Sequence, residues 1–256
     1  MSAMTAYPDL SGQHVFITGA ARGLGRSMAE KLAACGATIA VTDLDVGGCE
    51  EVAKGIRAAG GAALAYAVDV ALRDQVMDAA AQFAKACGRI DAMINNAMLL
   101  RYEPVQNITP ETLTRMTAIG VNGSIWGAQA LLAHYDAARG GAIVNMASPV
   151  AEKGFPNTAA YSLVKGAIVT LTKVLAAELG PRNVRVNAIA PGSVPTPGAL
   201  GLNDEAEYAR RARSIPLRRL GREEDNAAAC AFLLSGAASF INGEILHVDG
   251  GIAAAG

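Results

Sequence analysis

The sequence has few of the residues that define several classes of protein. Its 256 residues include four cysteines, with no Cys-x-x-Cys pair, and three isolated histidines. This spacing argues against a disulfide framework, a zinc site and a histidine-based catalytic triad, so we expect no bound metal. The formal net charge is −1, without the basic excess that is typical of nucleic-acid-binding proteins.

Long apolar segments are also missing. No uncharged apolar run reaches the length that spans a bilayer, and Met1 to Leu10 lacks the pattern of a secretory signal. We therefore expect a cytoplasmic protein with neither a membrane nor a nucleic acid as partner. Hydrophobic residues make up 52% of the chain and charged residues 18%, which is enough material for a large core.

What is present is a regular alternation of short apolar runs and longer amphipathic segments. The pattern predicts strands at 14–18, 38–42, 63–68, 90–95, 142–146, 184–190 and 244–248. It predicts helices at 23–35, 48–59, 73–87, 110–138, 158–179 and 223–235. This alternation predicts an α/β fold with a doubly wound, seven-stranded parallel sheet covered by helices on both faces. We expect one Rossmann-type domain over residues 1–256, with a mobile substrate lid at 192–220.

A glycine-rich turn follows the first predicted strand. Its sequence is Thr18-Gly19-Ala20-Ala21-Arg22-Gly23-Leu24-Gly25. Glycines let the backbone approach a pyrophosphate closely, and the helix that begins there points its free N–H groups at the phosphates. The preceding strand and the following helix make this motif more specific than a glycine string alone. We predict that Gly19, Arg22, Gly23, Leu24 and Gly25 bind a dinucleotide cofactor.

Asp43 ends the second predicted strand and is followed by Leu44. A carboxylate at this place accepts hydrogen bonds from ribose hydroxyls and repels a 2′-phosphate, so the sequence favours NAD over NADP. We expect both residues to contact the cofactor. Arg22 is the contrary sign, because it would pair with a 2′-phosphate. An alternative is that Asp43 caps the N-terminus of the next helix, and the two roles are compatible.

Tyr161 and Lys165 are four residues apart within one predicted helix, so they share a face. A free tyrosine has a pKa of about 10 and accepts protons poorly at neutral pH. A nearby ammonium stabilises the phenolate, which makes the pair a proton-transfer device. Ser148 lies at the end of a predicted strand. A core tyrosine and a solvated lysine are the simpler interpretation of each residue alone, but not of the whole set.

The chain resembles the short-chain dehydrogenase/reductase family, in its single-domain branch, from about Leu10 to Gly251. The matching residues are Thr18-Gly19-x-x-x-Gly23-x-Gly25, Asp69, Asn95-Asn96-Ala97, Asn122, Ser148, Tyr161-x-x-x-Lys165, Arg185-Val186-Asn187 and Pro191-Gly192. The resemblance implies reversible hydride transfer between NAD and a secondary alcohol or ketone. Two alternatives stay open, namely an NADPH-dependent reductase of the 3-oxoacyl thioester type and an NAD-binding sensor or scaffold.

The resemblance also implies roles for single residues. Tyr161 would be the general acid/base, Lys165 would lower its pKa and bind the nicotinamide ribose, and Ser148 would hold the substrate oxygen. Asn122 would fix a water that relays protons from Lys165. Besides Tyr161 and Lys165, the further cofactor contacts that it implies are Asp69, Val70, Asn96, Ala97, Pro191, Gly192, Val194 and Thr196.

One position departs from the family pattern. The family commonly has glycine after Asn-Asn-Ala, where this chain has Met98. We expect Met98 to adopt an ordinary backbone conformation and to lie at the cofactor and the substrate pocket. The predicted substrate-binding residues are Ser148, Val150, Phe155, Tyr161 and Leu200. The apolar character of the pocket favours a neutral, partly hydrophobic substrate.

Two further features concern charge and assembly. Six arginines around the predicted lid would attract an anionic substrate, but we favour a solvated face paired with nearby acidic residues. These arginines are Arg210, Arg211, Arg213, Arg218, Arg219 and Arg222. The predicted helices 110–138 and 158–179 are apolar on more than one face, and the resemblance implies a tetramer formed through them. We therefore expect a homotetramer that acts on a small-molecule substrate.

Overall fold

The sheet of this protein contains all seven of the strands that the sequence predicts. The computed structural model describes residues 8–198 and 204–255. The strands are β1 (His14–Thr18), β2 (Thr38–Asp43), β3 (Ala62–Ala67), β4 (Ala92–Asn95), β5 (Gly141–Met146), β6 (Val184–Pro191) and β7 (Ile245–Val248). Strand β4 is buried along its whole length and β5 along nearly all of it, as expected for a sheet covered on both faces.

Eight α-helices lie in the described residues. They are α1 (Gly23–Ala34), α2 (Val46–Ala58), α3 (Arg73–Cys87), α4 (Pro110–Thr117), α5 (Gly123–His134), α6 (Ala159–Leu179), α7 (Glu205–Ser214) and α8 (Glu223–Leu234). One core packs α1, α2 and α8 against one face of the sheet, and a second core packs α3, α5 and α6 against the other. The doubly wound α/β fold predicted from the sequence is confirmed.

All strand pairs are parallel, in the order β3-β2-β1-β4-β5-β6-β7. The chain leaves β1 toward β2 on one side and later returns to place β4 on the other side. In such sheets a crevice opens at the carboxyl ends of the strands where the winding reverses. The glycine-rich turn after β1 and the Asn95-Asn96-Ala97 segment at the end of β4 meet at this crevice.

Two predicted elements differ from the structure. The helix predicted at 110–138 ends at His134 and is interrupted by a π-helical turn, Ala118–Asn122. The segment 192–220, predicted to be a mobile substrate lid, contains α7, which the sequence analysis did not predict. Asp204 caps α7 by accepting a hydrogen bond from the Glu207 N–H at 2.7 Å. In the described part of the chain, no helix combines the length and the apolarity that a bilayer requires.

Candidate active site

The glycine-rich turn is packed so tightly that side chains are excluded from it. A Cβ on Gly25 would overlap the carbonyl oxygen of Gly19, and a Cβ on Gly19 would lie 2.8 Å from the Cα of Ala97. Gly19 and Gly23 also have positive φ angles, of 66° and 58°, which favour glycine. The turn can therefore take this shape only with these residues.

Asn96 holds the turn against the end of β4. Its Nδ2 donates to the carbonyl oxygens of Thr18 and Gly19, at 3.0 and 2.8 Å. The Oγ1 of Thr18 accepts hydrogen bonds from the backbone N–H groups of Asn96 and Ala97. The Asn96 side chain thus joins the end of β4 to the glycine-rich turn. The same bonds place the backbone of Asn96 and Ala97 at the edge of the crevice where a cofactor would lie.

The first turn of α1 is open to an anion. Its N-cap residue, Arg22, is extended and exposed and provides no side-chain cap, and the first turn of the helix contains no acidic residue. By contrast, α2 and α7 are capped by aspartates. Free N–H groups at a helix N-terminus bind phosphate, so these residues fit the pyrophosphate of a dinucleotide.

Asp43 lies beside the turn. Its Oδ2 accepts a hydrogen bond from the Ala21 N–H at 3.3 Å, and its Oδ1 accepts one from the Asp45 N–H at 3.2 Å. The alternative that Asp43 caps α2 is wrong, because Asp45 does so by accepting from the Gly48 N–H at 3.0 Å. Asp43 stays partly exposed at the strand end, and the neighbouring Leu44 is 63% exposed.

Asp69 and Val70 have protein partners after the end of β3. The Oδ2 of Asp69 pairs with Arg115 at 2.9 Å, and its Oδ1 accepts a hydrogen bond from the Ala71 N–H. Val70 is buried and lies against Gly123. Any contact of Asp69 with adenine must therefore share its carboxylate with Arg115.

Tyr161, Lys165 and Ser148 are brought together in the crevice, as the sequence predicts. The Ser148 hydroxyl lies close enough to the Tyr161 phenol to lower its pKa by hydrogen bonding. The Nζ of Lys165 lies 5.6 Å from the centroid of the Tyr161 ring and donates to the carbonyl oxygen of Met146 at 2.5 Å. Lys165 is only 5% exposed, so its ammonium is held in place by one carbonyl and one aromatic ring.

Burial shifts the pKa values of both members of this pair. Burial raises the pKa of Tyr161 above its usual value, the neighbouring Tyr102 raises it further, and the Ser148 hydrogen bond opposes both. Burial lowers the pKa of Lys165 to about 8. Both shifts are caused mainly by burial, which disfavours the charged form of each group, and the lowering of the Tyr161 pKa by Lys165 stays a prediction.

Asn122 lies at the end of the π-helical turn between α4 and α5. A π turn adds a residue to a helix and often marks a functional position. The turn is stabilised where the Ser124 hydroxyl donates to the carbonyl oxygen of Gly120 at 2.7 Å. Asn122 remains only partly buried, and its π turn contacts α6, the helix that carries Tyr161 and Lys165.

Met98 has an ordinary, negative φ, as expected. Among the described non-glycine residues, only Asn157, Asn183 and Arg218 have a positive φ. It packs with Met116, Val164 and Tyr161 in a small apolar cluster behind the phenol. A Cβ on Gly120 would lie 3.0 Å from the Met98 sulfur and would overlap Val164. The space for Met98 therefore depends on the absence of a side chain at position 120.

The segment after β6 closes the crevice. Thr196 lies beside Gly23, where a Cβ would be 3.5 Å from the Thr196 Cβ. Gly192 lies so close to Asp249 that a Cβ there would approach its Cα to 2.7 Å, and Val194 contacts Gly221. Pro191 ends β6. Thr196 thus lies at the glycine-rich turn, whereas Gly192 and Val194 pack against Asp249 and Gly221.

The predicted substrate residues are only partly brought together. Val150 and Phe155 line a cleft of about 730 Å³ beside the Ser148 loop, but neither Ser148 nor Tyr161 lines it. Leu200 lies outside the described residues. No group of three or more His, Cys, Asp or Glu side chains arranged to hold a metal occurs within 8–198 and 204–255.

Sequence analysis missed Tyr102. Its ring packs edge-on against that of Tyr161, with 5.6 Å between centroids and an interplanar angle of 66°. Tyr102 lies in a loop without regular periodicity, so only the short distance along the chain from Asn96 could have indicated it. It also lies within electrostatic reach of Tyr208 and Arg211, so it connects helix α7 with Tyr161.

A doubly wound sheet, an open phosphate turn and a neighbouring set of Ser148, Tyr161 and Lys165 are typical of a dinucleotide-binding oxidoreductase. A family model described as "Enoyl-(Acyl carrier protein) reductase" matches residues 19–253. The chain belongs to the short-chain dehydrogenase/reductase family.

Similar proteins within this family act on different compounds. The D-threitol dehydrogenase of Mycolicibacterium smegmatis is 38% identical over 94% of this chain and 93% of its own. The structure of a 3-ketoacyl-(acyl-carrier-protein) reductase from Brucella melitensis complexed with NADH matches with a TM-score of 0.89 and 36% identity, covering 96% of this chain and 100% of that one. A gluconate 5-dehydrogenase from Burkholderia cenocepacia in complex with NADP and tartrate matches with a TM-score of 0.92 and 33% identity, covering 97% and 98%.

Proposed function

We propose that this protein catalyses reversible, NAD-dependent hydride transfer between a secondary alcohol and a ketone. The observation that carries the proposal is the assembly of Ser148, Tyr161 and Lys165 at the mouth of a groove that begins at the glycine-rich turn. A bound nicotinamide would supply the hydride acceptor or donor and, when oxidised, a positive charge that favours the phenolate.

Tyr161 and Ser148 carry out the proton transfer that accompanies hydride transfer. In the oxidation, the Oη of Tyr161 takes the hydroxyl proton while Ser148 holds the same substrate oxygen by a hydrogen bond. In the reduction, Tyr161 returns a proton to the developing alkoxide. The raised pKa of Tyr161 suits the second role in the protein alone, because the phenol then keeps its proton at neutral pH. Lys165 holds a second proton within 5.6 Å of the ring centroid, and Asn122 lies at the π turn that contacts α6.

The preference for NAD rests on Asp43. Asp43 has a partly exposed carboxylate beside the turn, which would accept hydrogen bonds from the two ribose hydroxyls and would repel a 2′-phosphate. Arg22 is exposed nearby and would favour NADP, as in the runner-up proposal of an NADPH-dependent reductase of the 3-oxoacyl thioester type. Relatives complexed with NADH and with NADP are both known. The Asp43 carboxylate is fixed by two backbone N–H groups, whereas a solvated arginine is screened, so we favour NAD.

Steady-state assays with NAD(H) and NADP(H) on a panel of secondary alcohols and ketones test the proposal. We expect turnover with NAD(H) at a higher kcat/KM, and we expect the substitution Tyr161→Phe to abolish it while NAD binding, measured by titration calorimetry, persists. Near-normal turnover by the variant would refute the mechanism. Binding of NAD without any Tyr161-dependent turnover would favour a sensor or scaffold.

Assembly and location complete the proposal. Leu163 and Val174 on α6 are 60% and 53% exposed, and Leu113 on α4 is 38% exposed. Exposed apolar side chains on these two helices support a homotetramer formed through them. Sedimentation equilibrium would give four times the 26.2 kDa mass of one chain. The cytoplasmic location stays a prediction, which cell fractionation would check.

A further inference from the structure

The lid helix α7 turns one face toward the active site. Along this helix Glu207, Tyr208 and Arg211 are partly buried, whereas Arg210 and Arg213 are exposed. Residues three and four apart lie on the same helix face, so Arg211 points inward together with Tyr208. The six arginines of this region are therefore not equivalent. Arg210 and Arg219 pair with acidic residues at the surface, as the sequence analysis expects.

Arg211 bridges the lid and the end of β6. Its Nε donates to the Oε1 of Glu207 at 2.7 Å, and its Nη1 donates to the Oγ of Ser193 at 3.3 Å. Ser193 directly follows Gly192, which lies in the groove. The Nη2 amino group of Arg211 donates no hydrogen bond to any residue within 8–198 and 204–255. The N–H groups of Nη2, on one edge of the guanidinium, are thus left for another acceptor.

The pairing with Glu207 leaves excess positive charge. Arg210 also binds Glu207, by two hydrogen bonds of 2.7 Å each. One carboxylate therefore faces two guanidiniums, and the three side chains together carry a net charge of +1. If Arg211 turned toward a new anion, Glu207 would keep the bidentate partner that it already has.

Tyr102 connects this charge to the phenol of Tyr161. The centroid of its ring lies 5.6 Å from that of the Tyr161 ring, and its hydroxyl lies within electrostatic reach of Arg211. Burial raises the pKa of Tyr102 and the guanidinium lowers it. Tyr102 therefore combines a ring that packs on Tyr161 with a hydroxyl that feels the partly buried Arg211 guanidinium and is able to donate a hydrogen bond.

We propose that Arg211 and Tyr102 select a substrate that carries an oxyanion group, such as a hydroxy acid or its oxo acid, at the end remote from the reacting carbon. This inference rests on the proposed function, because it assumes that Tyr161 contacts the reacting oxygen. The guanidinium binds the anion in a charge-assisted hydrogen bond, and the phenol of Tyr102 donates a second one. The expected substrate thus differs from the neutral one that the apolar pocket residues alone favour.

Matched pairs of substrates test the proposal. The probes are 3-hydroxybutyrate, 4-hydroxypentanoate and 4-hydroxycyclohexanecarboxylate, each assayed beside its neutral methyl ester. We expect the best acid to exceed its ester in kcat/KM by about 10- to 100-fold, mostly through a lower KM. This fold-change is the range expected for one hydrogen bond to a charged group. Hydroxyalkyl sulfonates and phosphates of equal length separate a carboxylate from the other oxyanions. Equal values for every pair would overturn the proposal.

Variants of α7 locate the effect. Arg211→Met is expected to bring the acid-to-ester ratio close to one, and Arg211→Lys to restore part of it. Arg213→Met is the matched control, since it removes an exposed arginine from the same helix and should leave the ratio unchanged. Tyr102→Phe should lower the ratio about fivefold, the loss of one hydrogen bond. An equal fall in Arg213→Met would show a general field effect and refute a site at Arg211.

A binding readout separates this proposal from the proposed function. Thermal unfolding with each acid and its ester measures binding without turnover. Stabilisation by the acid alone, lost in Arg211→Met, supports the anion site even if no probe is oxidised. Tyr161-dependent turnover that is equally fast for acids and esters would leave the proposed function in place and refute the anion site.

Discussion

The cofactor side and the substrate side of this crevice are built from different parts of the chain. On the cofactor side, the decisive contacts involve backbone atoms, as where Gly25 meets the carbonyl of Gly19 and Asn96 binds the carbonyls of Thr18 and Gly19. On the substrate side they join side chains, as between Tyr102 and Tyr161 or Arg211 and Ser193. A backbone-built groove tolerates few substitutions, whereas a pocket of side chains can change without altering the fold.

The largest effect is expected from Gly25→Ala on the cofactor side. The new Cβ would overlap the Gly19 carbonyl oxygen, and backbone cannot move aside as a flexible side chain can. We expect a loss of about 3 kcal/mol or more in the free energy of unfolding, together with loss of NAD binding. Chemical denaturation and calorimetric titration measure the two effects.

Gly55→Ala is the control for this change. Gly55 lies in α2, and a Cβ added there would meet no atom within 4 Å, so alanine should stabilise the protein by about 0.5–1 kcal/mol. If Gly25→Ala were as stable as Gly55→Ala, the glycine-rich turn would tolerate a side chain, and the contrast between the cofactor side and the substrate side would fail.

An intermediate effect on stability is expected from Lys165→Met. Lys165 lies between the cofactor side and the substrate side of the crevice. Burial lowers the pKa of Lys165 to about 8, so below pH 8 the buried ammonium costs about 3 kcal/mol of stability. The variant avoids this cost, but part of the gain is offset because the Met146 carbonyl loses its hydrogen bond. We expect the variant to be inactive and more stable by about 1–2 kcal/mol at pH 7.

The pH dependence identifies the cause. Between pH 8 and about 10.5 the unfolded chain binds more protons at Lys165 than the folded protein does, so the stability of the native protein relative to the variant rises with pH. The advantage of Lys165→Met should therefore shrink across this window in urea denaturation series. An advantage that stays constant from about pH 7 to 10 would contradict a charge-burial cost.

The smallest effect is expected from Met98→Gly on the substrate side. Met98 is only partly buried in the cluster with Met116, Val164 and Tyr161, so its loss should cost about 1 kcal/mol of stability. Because Met98 is predicted to lie at both the cofactor and the substrate pocket, we expect a small change in NAD affinity and a larger shift in the relative kcat/KM of bulky and small substrates. A destabilisation as large as that of Gly25→Ala would erase the contrast between the two sides.

Local sequence patterns indicated some of these features and missed others. The seven strands and the Tyr161–Lys165 pair follow from periodicity and spacing, which act over a few residues. Helix α7 was missed although Asp204 and the charges of its first and last turns are typical cap signals. The wrong cap at Asp43 came from a choice between two aspartates two residues apart, which only the path of the backbone into α2 decides.

The sequence by itself determined the winding of the sheet, the position of the phosphate turn and the side chains able to move a proton, because each depends on short-range periodicity, turn chemistry or i, i+4 spacing. The tertiary structure alone decided that Asp69 pairs with Arg115, that Tyr102 stands beside Tyr161 and that Arg211 points inward. It also decided the directions in which the pKa values of Tyr161 and Lys165 shift, since desolvation depends on everything packed around a group and not only on its neighbours along the chain.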